Sequence, residues 1–257
     1  MQKIKFGTDG WRAIIAKEFT VENVARVSEA TGKWLLKNYD NPTVFVGHDC
    51  RFAGALFMET SVKVFLSQGL NVRMSEGFVS TPMVSLAACR FNCQVGVVLT
   101  ASHNPPSYNG YKLKADFGGP LAPEHVQEVE DLIEDTCSID LDEINLESFK
   151  SSGKLKVDDI ETMYVDHVKA NFDLDAIQKS NMNLVYDAMY GAGQRVLPRI
   201  LPNVNLMHCE YNPSFYGQAP EPIGKNLKEL EAHIKENPGI DCALATDGDA
   251  DRIGMYN

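Results

Sequence analysis

The run Val95-Gly96-Val97-Val98-Leu99 constrains the fold more than any other part of the chain. It has no polar side to offer solvent, so a strand built from it must be covered on both faces, as in a sheet sandwiched between helices. The neighbouring pattern supplies such helices. Thr20 precedes an apolar stripe of Val21, Val24, Val27, Trp34 and Leu35, which predicts a helix over about 20–38. Asn41-Pro42 stops it before the strand-forming run Thr43-Val44-Phe45-Val46-Gly47. A helix over about 52–68 closed by Gly69, a short strand over 72–76 and a helix opening at Thr81-Pro82 complete the lead-in to that central strand.

The stretch from Cys137 to Gly153 is polar, acidic and weakly patterned, and marks the expected boundary between a first domain, 1–150, and a second, 151–257. Beyond it the layout starts afresh. The expectation is a long helix over about 157–179, a strand Leu184–Asp187, a helix Gly191–Leu201, a strand Asn205–Glu210, a helix over about 225–236 and a strand Ile240–Thr246. Strands alternating with covering helices define the expected fold class: α/β, with two successive domains, each a mixed β-sheet sandwiched between α-helices.

Charge and composition narrow the function. A formal net charge of -11 excludes a general nucleic-acid surface but allows a local basic pocket for a small anion. No apolar run reaches the roughly 18 residues that span a bilayer, and Met1 to Gly7 lacks the apolar segment of a secretory signal, so a cytoplasmic protein without membrane partners is expected. The six cysteines form no C-x-x-C pair and read as reduced thiols.

Two loops follow predicted strands, where functional loops of α/β sheets lie. After the strand ending at Thr246 comes Asp247-Gly248-Asp249-Ala250-Asp251-Arg252. Carboxylates at alternate positions of an extended loop turn to one side and make a hard-oxygen site for Mg²⁺ or Ca²⁺. An EF-hand is excluded, because its sixth position requires glycine and Arg252 stands there. A guanidinium beside such a metal suits a doubly charged phosphoryl group. After the central strand comes Thr100-Ala101-Ser102-His103-Asn104-Pro105-Pro106, followed by Tyr108-Asn109-Gly110-Tyr111-Lys112. Without a G-x-S-x-G elbow, and with adjacent side chains not facing each other, Ser102 and His103 do not form a hydrolase pair. Ser102 and Asn104 read either as turn caps or as partners of the metal loop, and Lys112 either as a solvated cation or as a base with a lowered pKa. Asp49 and Arg51, after another strand, read as a cap for the next helix or as groups leaning toward the site. Gly191-Ala192-Gly193 suggests a weak phosphate nest.

These motifs, with Phe6-Gly7-Thr8-Asp9-Gly10-Trp11-Arg12 near the start, resemble the α-D-phosphohexomutases, which include phosphoglucomutase, phosphomannomutase and phosphoglucosamine mutase. The resemblance implies reversible transfer of phosphate between C1 and C6 of a hexose through a sugar bisphosphate. It implies that Ser102 is the phosphorylated residue and that Asp247, Asp249 and Asp251, with a phosphate oxygen on Ser102, hold Mg²⁺. Arg252 would contact the same phosphate, and Lys112, assisted by Arg12 and His103, would handle the proton of the sugar hydroxyl. The partner implied is a phosphorylated hexose, glucose or mannose phosphate foremost, with a glucose 1,6-bisphosphate-type activator. Family members have four domains, and the motifs here belong to the first two. A non-catalytic metal- or phosphosugar-binding module is the alternative, and the isolated chain is expected to show little or no turnover.

Overall fold

Two mixed sheets organise the chain in the computed structural model, which describes residues 3–256. The first arises from β1 (Trp11–Ile14), α1 (Val21–Asn38), β2 (Thr43–His48), α2 (Gly54–Ser67), β3 (Asn71–Ser75), α3 (Thr81–Arg90), β4 (Val95–Leu99), β5 (Tyr108–Ala115), α4 (Pro123–Asp131), α5 (Leu146–Ser151) and β6 (Leu155–Asp158). Its strand order is β1-β5-β4-β2-β3-β6. β2 lies parallel to β4 and β3, and β3 to β6, whereas β5 runs antiparallel to β4 and β1.

Strand parity explains the two covered faces. Val44, Val46, Val95, Val97 and Leu99 point into a core shared with Val24, Val27 and Trp34 of α1 and Phe57, Val62 and Phe65 of α2. Phe45 and Val98 point the other way, toward Met83, Val84 and Ala87 of α3. Each such large apolar side chain, fully buried, stabilises the fold by about 1.5–3 kcal/mol. Thr20 caps α1 by accepting the Asn23 N–H. The cap of α3 is Ser80, one residue before the position expected, which releases Thr81 for another partner.

The second sheet follows α6 (Ile160–Asn171) and α7 (Leu174–Lys179). It contains β7 (Leu184–Asp187), β8 (Asn205–Met207), β9 (Cys242–Thr246) and β10 (Ile253–Tyr256), in the order β10-β9-β7-β8, with α8 (Leu197–Ile200) and α9 (Lys228–Glu236) between strands. β9 and β8 are parallel to β7, and β10 is antiparallel to β9. α9 covers one face through Leu230, against Val185, Ala243 and Ala245.

Three elements differ from expectation. The helix expected over about 157–179 divides into a strand and two helices: β6 extends the first sheet beside β3, and Asp159 and Asp173 cap fresh helical starts. The helix expected at Gly191–Leu201 is a 3-10 turn over Ala192–Arg195 followed by α8. The segment Tyr108–Lys112, for which the sequence predicts no element, is the start of β5. All six cysteines are free thiols. Among the described residues no helix is long and apolar enough to cross a membrane.

Candidate active site

The serine loop leaves the carboxyl end of β4 and turns at Ser102, whose φ of 52° lies in the left-handed region that a side chain disfavours. Buried hydrogen bonds hold it there. The Ser102 N–H donates to Thr100 Oγ1 at 2.9 Å, and the Thr100 hydroxyl donates to Asp49 Oδ2 at 2.5 Å. The Arg51 guanidinium donates to the carbonyl oxygens of Ser102 and Asn104 at 2.7 Å each, and of Pro105 and Tyr108 at 2.9 Å each. Asp49 Oδ1 accepts the Arg51 N–H at 2.9 Å. Neither residue caps α2, whose N-cap is Ala53 without a side-chain bond, so the capping reading is corrected: Asp49 and Arg51 brace the serine loop.

The acidic loop leaves β9, from the other sheet, and meets the serine loop. The Ser102 hydroxyl donates to Asp247 Oδ2 at 2.8 Å. Gly248 makes the approach possible: a Cβ there would lie 2.4 Å from the Ser102 carbonyl oxygen. The Thr81 hydroxyl donates to Asp249 Oδ2 at 2.5 Å and the Thr81 N–H to the Asp249 carbonyl oxygen at 3.0 Å. The Asp251 and Arg252 amides both donate to Asp247 Oδ1 at 3.1 Å. Gly191 packs against the Asp247 and Gly248 carbonyl oxygens, and the Ala192 N–H donates to the latter at 2.9 Å. The suggested phosphate nest at Gly191–Gly193 is thereby corrected to a support for the acidic loop.

One carboxylate oxygen from each of Asp247, Asp249 and Asp251 lies within 4.8 Å of the others. Burial and the adjacent Asp249 carboxylate push Asp247 above the usual carboxylate range. Burial acts upward on Asp249 too, but Lys112, Thr81 and Ser102 hold it below its ordinary value. Asp249 Oδ1 is buried with no hydrogen-bond partner among the described residues. An orphaned anionic oxygen between two further carboxylates is the donor set of a hard divalent cation, and these residues fit Mg²⁺.

Lys112 enters this cluster from β5. Its ammonium is buried and lies 2.7 Å from Asp9, 2.8 Å from Asp249 and 3.0 Å from Asp251. Burial pushes its pKa down, but attraction by Asp249, Asp251 and Asp9 exceeds that, and Lys112 titrates above its ordinary value. The lowered pKa expected of a resting base is therefore corrected: Lys112 stands as an ammonium. Arg12 donates to Asn104 Oδ1 at 2.9 Å and lies 3.6 Å from Asp9. Arg252 donates to His103 Nδ1 at 2.5 Å. Burial, Arg252 and Arg12 together keep His103 below its ordinary value. The structure thus gathers Ser102, His103, Lys112, Arg12, Asp247, Asp249, Asp251 and Arg252 into one cluster where the loops of the two sheets meet. It adds Asp9 and Thr81, which sequence reasoning had not placed there, and brings Asp49 and Arg51 to the site side of their two readings.

The two-sheet α/β scaffold thus sets a serine hydroxyl against a triad of carboxylates where the serine loop and the acidic loop meet. Family models described as phosphoglucomutase/phosphomannomutase, α/β/α domain I and domain II, match residues 3–139 and 162–257, and the chain belongs to this phosphohexomutase family. A phosphoglucomutase/phosphomannomutase of Thermococcus kodakarensis is 34% identical over 252 residues, 96% of this chain and 54% of that protein. A phosphoglucosamine mutase of Bacillus cereus is 30% identical over 256 residues, 96% of this chain and 54% of its own length. The chain therefore spans about half the length of the curated relatives it matches. Among solved structures, a Thermus thermophilus protein provisionally described as a phosphomannomutase superposes with a TM-score of 0.87 and 36% identity, over 99% of this chain and 57% of that one.

Proposed function

We propose that this chain is the phosphate-carrying part of a phosphohexomutase that moves phosphate between C1 and C6 of a hexose through a sugar bisphosphate. The observation that carries the reading is the Ser102 hydroxyl 2.8 Å from Asp247 Oδ2, beside two further aspartates. Asp247, Asp249 and Asp251 would hold Mg²⁺, which supplies charge neutralisation to the phosphoryl group when bound. Ser102 is the phosphate acceptor. As phosphate passes from the bisphosphate to Ser102, the phosphorus–sugar oxygen bond breaks and a bond to Oγ forms. The Ser102 proton leaves along its hydrogen bond to Asp247 Oδ2, Lys112 gives its proton to the departing sugar oxygen, and the reverse transfer restores both. Arg252 binds the phosphate oxygens from the open side, His103 orients Arg252, and Arg12 with Asn104 lines the approach.

Glucose or mannose phosphate are the proposed substrates, and the family's phosphoglucosamine mutases keep glucosamine phosphate as the next. The third and fourth domains implied by the resemblance would choose and clamp the sugar, so the chain by itself is proposed to take up phosphate with little turnover. Incubation with Mg²⁺ and glucose 1,6-bisphosphate is expected to add about 80 Da to the intact mass, and Ser102→Ala to abolish the gain. A gain that persists in Ser102→Ala refutes the assignment, and binding of the sugar phosphate with no gain favours a non-catalytic module.

A further inference from the structure

We propose that Arg51, together with Asp49, is the positioning group that sets Ser102 for phosphoryl transfer, an assignment that rests on the phosphoserine reading above. The Arg51 side chain is fully buried, and both Nη atoms are bonded to the backbone of one loop, reaching the carbonyl oxygens of residues 102, 104, 105 and 108. A side chain present only to fill space would be apolar there, because burying a guanidinium is costly. The fork has a specific use. Pro105 and Pro106 have no N–H; the loop makes the turn bonds Asn104 N–H to Ala101 O and Tyr108 N–H to Pro105 O, and the planar set of donors holds the carbonyl oxygens of Ser102, Asn104 and Tyr108 and shares that of Pro105.

The bonds converge on Ser102. Its carbonyl oxygen is held directly by Arg51, and its N–H is held through Thr100 by Asp49, which also accepts the Arg51 amide. Both peptide groups flanking the Ser102 Cα are thereby anchored to the same Asp49–Arg51 pair, which keeps a non-glycine residue at a φ of 52°. Holding φ and ψ of Ser102 fixes its Cα–Cβ direction and so the positions Oγ can reach, among them the one that donates to Asp247. Phe215, from the second half of the chain, lies with its ring centroid 5.2 Å from the Arg51 guanidinium carbon, so the brace sits against both halves.

Arg51→Lys tests this, since it keeps the charge beside Asp49 but replaces a planar fork by a point donor. The rate of the Ser102 mass gain from glucose 1,6-bisphosphate is expected to fall about 100-fold, as for a reacting group displaced by about 1 Å, with half-saturation by the bisphosphate unchanged. The thermal transition should fall, since buried carbonyl oxygens lose their donors, with the folded baseline retained, while amide exchange speeds up over residues 101–109 and not over β4. Should Arg51→Lys fail to fold, Thr100→Val cuts the link to the Ser102 N–H at constant shape, with an expected rate loss of up to about tenfold. An unaltered rate, or a change in half-saturation alone, in a folded variant overturns the assignment. If the parent chain takes up no phosphate yet exchange over 101–109 responds to Arg51→Lys, the phosphoserine reading fails and the loop brace stands. If phosphate is taken up and neither rate nor exchange responds, the brace fails alone.

Discussion

Replacing Lys112 by methionine isolates the charge balance on which the cleft rests. The Lys112 and Asp249 side chains are fully buried, 2.8 Å apart, whereas Asp9 and Asp251 are 29% and 22% exposed and count for less. Methionine fills most of the same volume, so the cavity contribution is small and the loss is electrostatic. Asp249 would then be an uncompensated buried carboxylate facing Asp247 and Asp251, a situation that costs about 3–5 kcal/mol when one partner of a buried pair is removed. For a chain of this size the thermal transition falls by about 2–4 °C per kcal/mol, which gives a drop of about 6–20 °C in circular-dichroism melts near neutral pH. Lys112 is raised in the fold, so in the parent its contribution is fully present below its unfolded value of 10.5 and is lost only above that. In the variant the exposed imbalance belongs to the aspartates, which take up protons as pH falls, so the deficit should narrow toward about pH 4–5. A deficit below about 1 kcal/mol near neutrality, or one that widens on acidification, refutes the claim that Lys112 compensates buried Asp249.

Two further expectations follow from single contacts. Gly248→Ala places a methyl 2.4 Å from the Ser102 carbonyl oxygen, and denaturant titration should show a loss of about 1–3 kcal/mol together with slower uptake of phosphate at Ser102. His208 is raised from 6.5 to about 9, first by its hydrogen bond to Asp187 and then by Glu229 on the other ring nitrogen, against partial burial. Its contribution is complete below 6.5 and is lost as pH rises toward 9. Urea midpoints should therefore fall across that window by about 1 kcal/mol equivalent, after screening at a partly exposed ring, and His208→Gln should flatten the dependence.

The elements legible in the chain are those whose own residues carry the signal. The all-apolar run of β4, Thr20 before the stripe of α1 and the alternate aspartates of the acidic loop each work through local chemistry. β5 was not legible because Asn109, Lys112 and Lys114 interrupt its apolar pattern, and each is buried only by virtue of distant partners such as the Phe52 carbonyl oxygen and Asp249. β6 was lost for a similar reason: Lys156 and Asp158 look helical and solvated, and Asp158 is instead paired to Arg73 of β3 at 2.6 Å. Ser102, Lys112 and the aspartates could be named from their motifs, but the role of Arg51 depends on β2 lying beside β4. The usable hint was that both strands end at the same edge, so a charged pair following one strand faces the loop following the other.

The origin of Lys112's partners has a consequence for how the protein is made. A ribosome delivers the strands of the first sheet by Asp158, while Asp249 and Asp251 emerge only near the far end of the second. At about 5–20 residues per second several seconds separate the two, and of the three carboxylates around Lys112 the first half supplies Asp9. Until the second half follows, Asp9 is the one of these three carboxylates that can pair with Lys112. The acidic loop then brings the other two, Asp249 and Asp251, and with them a tie between the two halves.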